Sequence, residues 1–291
     1  MTSKTRPSDL VQAITTSCPD FTPKLARIAR FALEQPEPFI RKTSREICTE
    51  LGTSEPTLIR FCQQFGYSGL SDFRIDLALA LAKHRSGSGF VEPLPRDRRQ
   101  VNLAAKQRIA QAVVELVADD QSLLIDNGST TEVFAQMLGQ VAPKTIMTTG
   151  IWVAQNALEH GVHTVMLTGG RIRPNAMSMT GRMVETSIGQ MHFDTFVMGA
   201  GSIDADMGLS TFQEDEAHNT RFMLDAARRV IVLADSTKFN KPSLHNICGM
   251  GRVDILVTDL PPEDPRFAAI EAQGTHIVST RNANDPEADP A

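Results

Sequence analysis

Apolar residues recur at intervals of three and four along the N-terminal third of the chain, which predicts a bundle of short amphipathic helices. One helix is expected to begin at Thr22 and to end before Pro36. The next begins at Thr43, where Thr43 and Glu46 form a capping box, and stops at Gly52. The inward positions of these two helices are Leu25, Ile28, Ala29, Ala32, Ile47 and Leu51.

The segment 52–66 predicts a turn followed by a helix with two chemically different faces. Ser54 is placed to cap this helix, Pro56 lies in its first turn, and Gly66 follows its last apolar residue. The inward residues are Leu58, Phe61, Cys62 and Phe65, and the outward residues are Thr57, Arg60 and Gln64. A further helix from Ser71 carries Phe73, Leu77 and Leu81 inward. A short turn between two helices predicts a helix-turn-helix.

Helix pairs of this kind occur in many bundles that bind no DNA, so the pattern alone leaves the function open. The outward face nevertheless carries the side-chain types that contact base edges and phosphates. The residues predicted to contact DNA are Ser54, Thr57, Arg60, Gln63 and Gln64.

From residue 84 to residue 100 the sequence HRSGSGFVEPLPRDRRQ combines Ser, Gly and Pro with mixed charge and no periodicity, which predicts a linker and not a surface loop within one domain. Beyond it, apolar strands alternate with helical stretches, which predicts a mostly parallel sheet covered on both faces. The expected strands are 122–126, 145–149, 163–168, 194–199, 229–234, 254–258 and 276–279, and the helical stretches include 131–138, 153–159 and 215–228.

The predicted fold class is therefore an all-α helix-turn-helix domain followed by an α/β domain. The expected boundaries are 1–85 for the helical domain, 86–100 for the linker, 101–282 for the α/β domain and 283–291 for a disordered tail. Four predicted strands end in small and polar residues, at 126–131, 148–150, 168–170 and 199–201. Each alone is a tight turn, but because ligands bind at the carboxyl ends of parallel strands, together they predict a site for a polar ligand.

Composition fits two globular domains, with 291 residues of which 41% are hydrophobic. No apolar run approaches the about 20 residues of a membrane helix, and the first ten residues lack the apolar block of a signal peptide, so a cytoplasmic location is expected. The four cysteines show no C-x-x-C spacing and are expected to be reduced. His192, His218 and His245 lack metal-ligand spacing, so neither a metal nor a cofactor is expected.

Charge is unevenly distributed along the chain. Residues 1–100 hold 15 Lys and Arg against 11 Asp and Glu, whereas the remaining residues hold 14 against 23. The basic part contains the predicted helix-turn-helix. An excess this small is common, and it favours DNA binding only slightly.

The residue types in segment 44–81 are more specific than its apolar periodicity. Over about residues 20–85 the chain resembles the N-terminal domain of RpiR-type transcription regulators, a resemblance that implies operator binding. The matching features, in order, are Ser54 with Thr57, Arg60-Phe61, Gly66-Tyr67 and Asp72-Phe73-Arg74.

Over roughly residues 100–260 the chain resembles the effector domain of DeoR-type regulators. The motifs are IDNGSTT at 125–131, TGG at 168–170 followed by a basic residue, GAGSID at 199–204, GLSTFQEDEA at 208–217 and LADSTKF at 233–239. That family's fold is similar to ribose-5-phosphate isomerase and glucosamine-6-phosphate deaminase, and its members generally sense phosphorylated sugars.

The resemblance implies a phosphate against Gly128, Ser129, Thr130 and Thr131, with Lys238 as countercharge and with Asp126 and Glu214 holding hydroxyls. The strand-end residues Thr149, Gly169, Gly170, Arg171 and Gly199 complete the predicted effector site. Several of these residues also have explanations that involve no ligand. Lys238 could simply be solvated in its strand-end loop. Arg171 and Arg173 could bind phosphate or only flank a turn, and the acids 214–216 are also explained by the helix dipole.

Two positions depart from the DeoR pattern. Gly201 and Ser202 stand where the family usually has an aspartate in the fourth strand-end turn, and Gly150 stands where it usually has an asparagine. The related isomerases use acidic residues near that fourth turn for proton transfer, so the first departure argues against catalysis.

The expected function is that of a DNA-binding transcription regulator, a repressor of carbohydrate metabolism, controlled by a phosphorylated sugar and assembled as a homodimer or homotetramer. One alternative is a sugar-phosphate isomerase or deaminase with an accessory helical domain. Another is a sensor whose helical domain binds a protein.

Overall fold

The computed structural model describes residues 6–7, 9–84, 93–239 and 242–281, and the chain divides into two compact units after Val101. The described part of the first unit is helical. Its helices are α1 (Leu10–Ser17), α2 (Pro23–Glu34), α3 (Pro36–Arg41), α4 (Ser44–Leu51), α5 (Glu55–Gln63), α6 (Leu70–His84) and α7 (Pro95–Gln100). The predicted tail at 283–291 and the first part of the predicted linker, 86–92, lie outside the described residues.

Aromatic rings form the centre of the first unit's core. Phe61 and Phe73 are fully buried with ring centroids 5.3 Å apart, and Tyr67 packs edge to face on Phe73 at the same distance. The four residues predicted to face inward, three on α5 and Phe65 just beyond its end, are all buried, which confirms that face. Burial raises the pKa of the Cys62 thiol to about 12, so it packs as a small uncharged group.

The helices α4 and α5 and the turn between them form the predicted helix-turn-helix. The Thr43 hydroxyl accepts the Glu46 N–H at 3.1 Å, and the Glu46 carboxylate accepts the Thr43 N–H at 2.6 Å, so the capping box is confirmed. Gly52 ends α4 at φ +56°, in the left-handed region that favours glycine. Arg27 of α2 donates to the Leu51 carbonyl at 2.8 Å and so holds the end of α4.

Two helices of the first unit differ from expectation. The sequence predicts no helix between residues 36 and 42, whereas α3 forms there because Pro36 lies in its first turn, where a missing N–H costs no hydrogen bond. The sequence also predicts a linker up to residue 100, whereas α7 packs against α6. Asp97 is 4% exposed and accepts hydrogen bonds from Ser71 at 2.9 Å and Arg74 at 3.4 Å. These polar contacts hold α7 in place, although its sequence shows no apolar periodicity.

The second unit is an α/β domain. Its helices are α8 (Leu103–Leu116), α9 (Ser129–Met137), α10 (Ile151–Leu158), α11 (Arg182–Ile188), α12 (Glu214–Asp225) and α13 (Arg266–Glu271). Its strands are β1 (Ser122–Ile125), β2 (Thr145–Thr148), β3 (Thr164–Leu167), β4 (Arg171–Arg173), β5 (Ser178–Thr180), β6 (Phe193–Gly199), β7 (Ser202–Asp204), β8 (Gly208–Thr211), β9 (Ala227–Ala234), β10 (His245–Cys248), β11 (Ile255–Thr258) and β12 (His276–Ser279).

Seven strands form the main sheet in the order β12-β11-β9-β6-β1-β2-β3, and every neighbouring pair is parallel. These are the seven predicted strands, so the α/β fold class is confirmed. Alternate residues of β1 enter two separate apolar clusters, Leu124 in one and Leu123 with Ile125 in the other. The sheet is therefore covered on both faces.

Two small antiparallel sheets accompany the main sheet, one in the order β10-β8-β7 and one formed by the hairpin β4–β5. Their strands are short and lack the continuous apolar runs of the main-sheet strands, so the sequence did not indicate them. The helices in the described part of the chain are too short or too polar to cross a membrane.

Candidate functional site

The residues predicted to contact DNA lie along the turn before α5 and its outer face. Arg60, Gln63 and Gln64 are exposed, as is Ser54, and Thr57 is half-buried. Ser54 occupies the predicted N-cap position, but its hydroxyl pairs with the Thr57 hydroxyl at 2.9 Å and makes no capping bond to a backbone N–H. Thr57, Arg60 and Gln63 lie on α5, and Ser54 and Gln64 flank its two ends.

Two further exposed residues of α5 lie next to the predicted DNA-contacting residues. Ile59 is 40% exposed and lies four residues before Gln63, so the two share a face, and its apolar side chain suits a thymine methyl group. Glu55 accepts a hydrogen bond from Ser44 at 2.6 Å, which joins the starts of α4 and α5. Helical spacing in the sequence already contained the signal for Ile59.

A small cleft with a volume of about 10 Å³, enough for one water-sized group, lies in the second unit, beside the carboxyl ends of β1 and β2 and between the β4–β5 hairpin and α12. Because β1 neighbours β2 on one side and β6 on the other, the strand order changes direction there, where parallel sheets generally bind ligands. The cleft is lined by Asp126, Asn127, Thr149, Arg173, Met179, Thr180, Glu216, Asn219 and Thr220.

Asp126 joins the loop after β1 to the end of β2 and is 7% exposed. Its carboxylate accepts the Asn127 N–H at 2.8 Å and the Thr149 hydroxyl at 2.9 Å. Burial and then the neighbouring Glu216 raise the pKa of Asp126 to about 6, against the opposing effect of the two hydrogen bonds and of Arg173. Its charge therefore changes close to neutral pH.

The guanidinium in the cleft belongs to Arg173, whereas the predicted Arg171 lies outside its lining. Arg173 lies 3.7 Å from the Glu216 carboxylate with its side chain 13% exposed. The Arg171 side chain is 73% exposed and pairs with Asp215. Similarly, the structure places Glu216 in the cleft and leaves the predicted Glu214 exposed, because successive residues of α12 face different directions.

The loop predicted to hold a phosphate forms the start of α9. Gly128 occupies the N-cap position, Ser129 is half-buried, and Thr130 and Thr131 are buried. The Thr131 hydroxyl donates to the Gly128 carbonyl at 2.9 Å, so it serves the helix start. The groups suited to an anion are the first backbone N–H groups of α9 and the Ser129 hydroxyl.

Three predicted glycines shape the backbone. Gly169 and Gly170 have φ values of +75° and +118°, and a Cβ on Gly170 would lie 2.6 Å from the Thr180 carbonyl oxygen. Closure of the β4–β5 hairpin therefore requires glycine there. Gly199 ends β6. None of the three lines the cleft.

Lys238 lies in the turn after β9 and does not line the cleft. Its N–H donates to the Asp235 carbonyl at 2.9 Å, and the Asp235 side chain, 1% exposed, accepts from the Asn102 amide at 3.2 Å and the Thr237 N–H at 3.1 Å. Burial raises the pKa of Asp235, but Lys238 and the hydrogen bonds outweigh it and hold that pKa below its usual value.

The two departures from the DeoR pattern have structural counterparts. A Cβ on Gly150 would lie 3.2 Å from Asn127, so glycine lets Asn127 approach, and Asn127 brings an amide to the cleft beside that position. A Cβ on Gly201 would lie 2.9 Å from the Ser210 carbonyl oxygen, and Ser202 is buried. Within residues that the structure describes, no three His, Cys, Asp or Glu side chains gather as a metal site requires.

Comparisons with known proteins match both units. Residues 9–84 match the family model described as the helix-turn-helix domain of the rpiR family, and residues 101–260 match the DeoR C-terminal sensor domain. The chain is 37% identical over 188 residues to the putative aga operon transcriptional repressor of Escherichia coli O157:H7, covering 65% of this chain and 70% of that protein.

Two further similarities extend the comparison. The glycerol-3-phosphate regulon repressor of Escherichia coli K12 is 29% identical over 166 residues, with 57% of this chain and 66% of that protein covered. Ribose 5-phosphate isomerase A from Neisseria gonorrhoeae superposes on 46% of this chain and 52% of its own, with a TM-score of 0.35 and 16% identity. The fold class rests on the strand order of the sheet, not on this superposition.

Proposed function

We propose that the chain represses genes of carbohydrate metabolism under the control of a phosphorylated sugar. The chain belongs to the DeoR family of transcription regulators by its sensor domain, and it carries an rpiR-family helix-turn-helix domain before that domain. The observation that carries the proposal is the order of the two matched domains. The names of relatives as transcriptional repressors support it.

In this proposal the five residues Ser54, Thr57, Arg60, Gln63 and Gln64 contact the operator through the outer face of α5, which serves as the recognition helix. The protein is a homodimer or homotetramer in the cytoplasm. Two recognition helices then enter major grooves about 34 Å apart, as in other dimeric helix-turn-helix proteins.

The proposed effector site combines the cleft with the start of α9. The phosphate binds the backbone and hydroxyl groups at 128–131, with Lys238 as countercharge. The sugar binds in the cleft, where it contacts Asp126 and Thr149. Effector and operator affinities are coupled if the effector binds two arrangements of the subunits unequally.

A matching sugar phosphate is expected to raise the thermal stability of the full chain, and Lys238→Ala to remove that increase. The increase follows from mass action, about 2.7 kcal/mol at a hundred times the dissociation constant. Differential scanning fluorimetry with a panel of aldose and ketose phosphates measures it. The control is Lys24→Ala, which removes an exposed lysine from α2 and should leave the shift intact. No shift with any member of the panel would contradict the proposed control by sugar phosphates.

A second candidate function is that of a sugar-phosphate isomerase or deaminase, which is favoured by the pKa of about 6 at Asp126 in a cleft. Against it, Gly201 and Ser202 provide no carboxylate in the turn after β6. We therefore propose that the chain is not an enzyme and expect no turnover of the sugar phosphate that stabilises it, with a coupled assay for ketose formation or ammonia release as the measurement. Turnover that Asp126→Asn abolishes would establish the enzyme instead.

A further inference from the structure

The cleft in the second unit has an unusual excess of hydrogen-bond acceptors. Two carboxylates, of Asp126 and Glu216, line it together with a single guanidinium, that of Arg173. The Glu216 carboxylate also accepts the Thr211 hydroxyl at 2.7 Å. With both acids ionised, the charged groups that line the cleft carry a net negative charge. This charge disfavours the phosphate of a sugar phosphate and favours a positively charged group elsewhere on the ligand.

Asn219 is an independent sign that this wall of the cleft faces a ligand. The residue is 4% exposed, and its Oδ1 has no hydrogen-bond partner in the described structure. Its Nδ2 donates to the Met179 carbonyl at 3.5 Å, which fixes the orientation of the amide, since the reverse orientation would place two oxygens together. A buried acceptor without a partner is unfavourable unless a ligand or water supplies a donor.

We infer that the cleft binds a protonated amine, and that the effector is an amino-sugar phosphate. An ammonium group brings one positive charge and three N–H donors, whereas a hydroxyl brings one donor and no charge. Asp126, Glu216 and Asn219 offer acceptors to these donors, and the ammonium charge balances the second carboxylate. Burial and then the neighbouring Glu216 raise the pKa of Asp126 to about 6, so a cation placed beside this carboxylate would stabilise its ionised form.

This inference rests on the proposed function, because the phosphate of the same ligand is assigned to the start of α9 and Lys238. The proposed function accepts any phosphorylated sugar, whereas the charge of the cleft selects a sugar with a free amine. The phosphate of a sugar without an amine and the phosphate of an N-acetylated amino sugar both lack the cation. Neither ligand therefore balances the negative charge of the cleft.

The test measures binding to the full chain by isothermal titration calorimetry with matched probes. The probes are glucosamine 6-phosphate, N-acetylglucosamine 6-phosphate and glucose 6-phosphate, and the corresponding galactose series. We expect the free amine of one series to bind at least tenfold more tightly than its neutral and acetylated partners. Glu216→Gln should reduce this ratio by at least fivefold, because it removes one carboxylate from the cleft at constant size.

The matched control is Asp215→Asn, which neutralises the adjacent acid outside the cleft lining and should leave the ratio unchanged. Asn219→Leu should also weaken the amine, and an unchanged unfolding transition of Trp152 fluorescence shows that either variant is folded. Neutral sugar phosphates that bind as tightly as the amines would overturn the inference and leave the proposed function standing. Binding of no sugar phosphate of either kind would overturn both.

Discussion

Replacing Arg74 with alanine is expected to lower the free energy of unfolding of the helical unit by about 3–5 kcal/mol, because it leaves a buried charge without its partner. Arg74 is 2% exposed, and its Nη1 lies 3.4 Å from the Asp97 carboxylate. Its Nε donates to the Phe39 carbonyl at 3.1 Å, and its other terminal nitrogen donates to the Lys42 carbonyl. One side chain thus joins α3, α6 and α7.

The chain offers two convenient probes for this measurement. Its single tyrosine, Tyr67, is buried in the helical unit, and its single tryptophan, Trp152, lies in the sensor unit. Urea unfolding of the full chain followed by near-UV and far-UV circular dichroism should show an earlier transition of the helical unit in Arg74→Ala. The Trp152 fluorescence transition should stay in place, since the substitution does not touch that unit.

The matched control for this prediction is Arg41→Ala. Arg41 pairs with Glu37 at 3.0 Å on the surface, with side chains 44% and 58% exposed, so its loss should cost less than about 1 kcal/mol. Equal effects of the two substitutions would show that the Arg74 network does not stabilise the unit. The basic residue of the Asp72-Phe73-Arg74 motif has this structural role and not a contact with DNA.

The second large effect is expected from Arg60→Ala, which should weaken operator binding by about 1–3 kcal/mol, roughly a factor of ten or more, without changing the unfolding transitions. Arg60 is exposed on the outer face of α5, so its removal leaves the core intact. The operator can be obtained by sequencing DNA that co-purifies with the protein. Fluorescence anisotropy with operator and scrambled duplexes then measures the affinity.

The pattern of the loss identifies the contact. If Arg60 contacts a base, the loss falls on the operator and discrimination between duplexes decreases. If it anchors a phosphate, all duplexes lose affinity and the slope of log affinity against log salt changes by about one unit. The charge-matched control is Arg228→Ala in the sensor unit, where the side chain is 78% exposed. Unchanged binding by Arg60→Ala would remove this residue from the interface, and failure to bind any duplex would favour a protein partner for the helical unit.

Several features followed from the sequence because they depend on neighbouring residues. The capping box of Thr43 and Glu46, the end of α4 at Gly52 and the inward face of α5 each depend on spacings of three or four residues. The seven strands of the main sheet are continuous apolar runs and were predicted for that reason. Their carboxyl ends indicated where a ligand site should lie, although the predicted effector residues stay a prediction.

The tertiary structure decided which side chains meet. Arg171 and Arg173 are equivalent in sequence, but only Arg173 lines the cleft, since the path of the β4–β5 hairpin determines its distance from α12. Helix α7 depends on an ion pair between residues 23 positions apart, which no local pattern contains. The Asn219 oxygen, which has no hydrogen-bond partner among the described residues, likewise became visible only when its neighbours were known. Periodicity reports whether a residue faces a core, whereas the contacts that give a site its charge and acceptors come from distant segments that only the fold brings together.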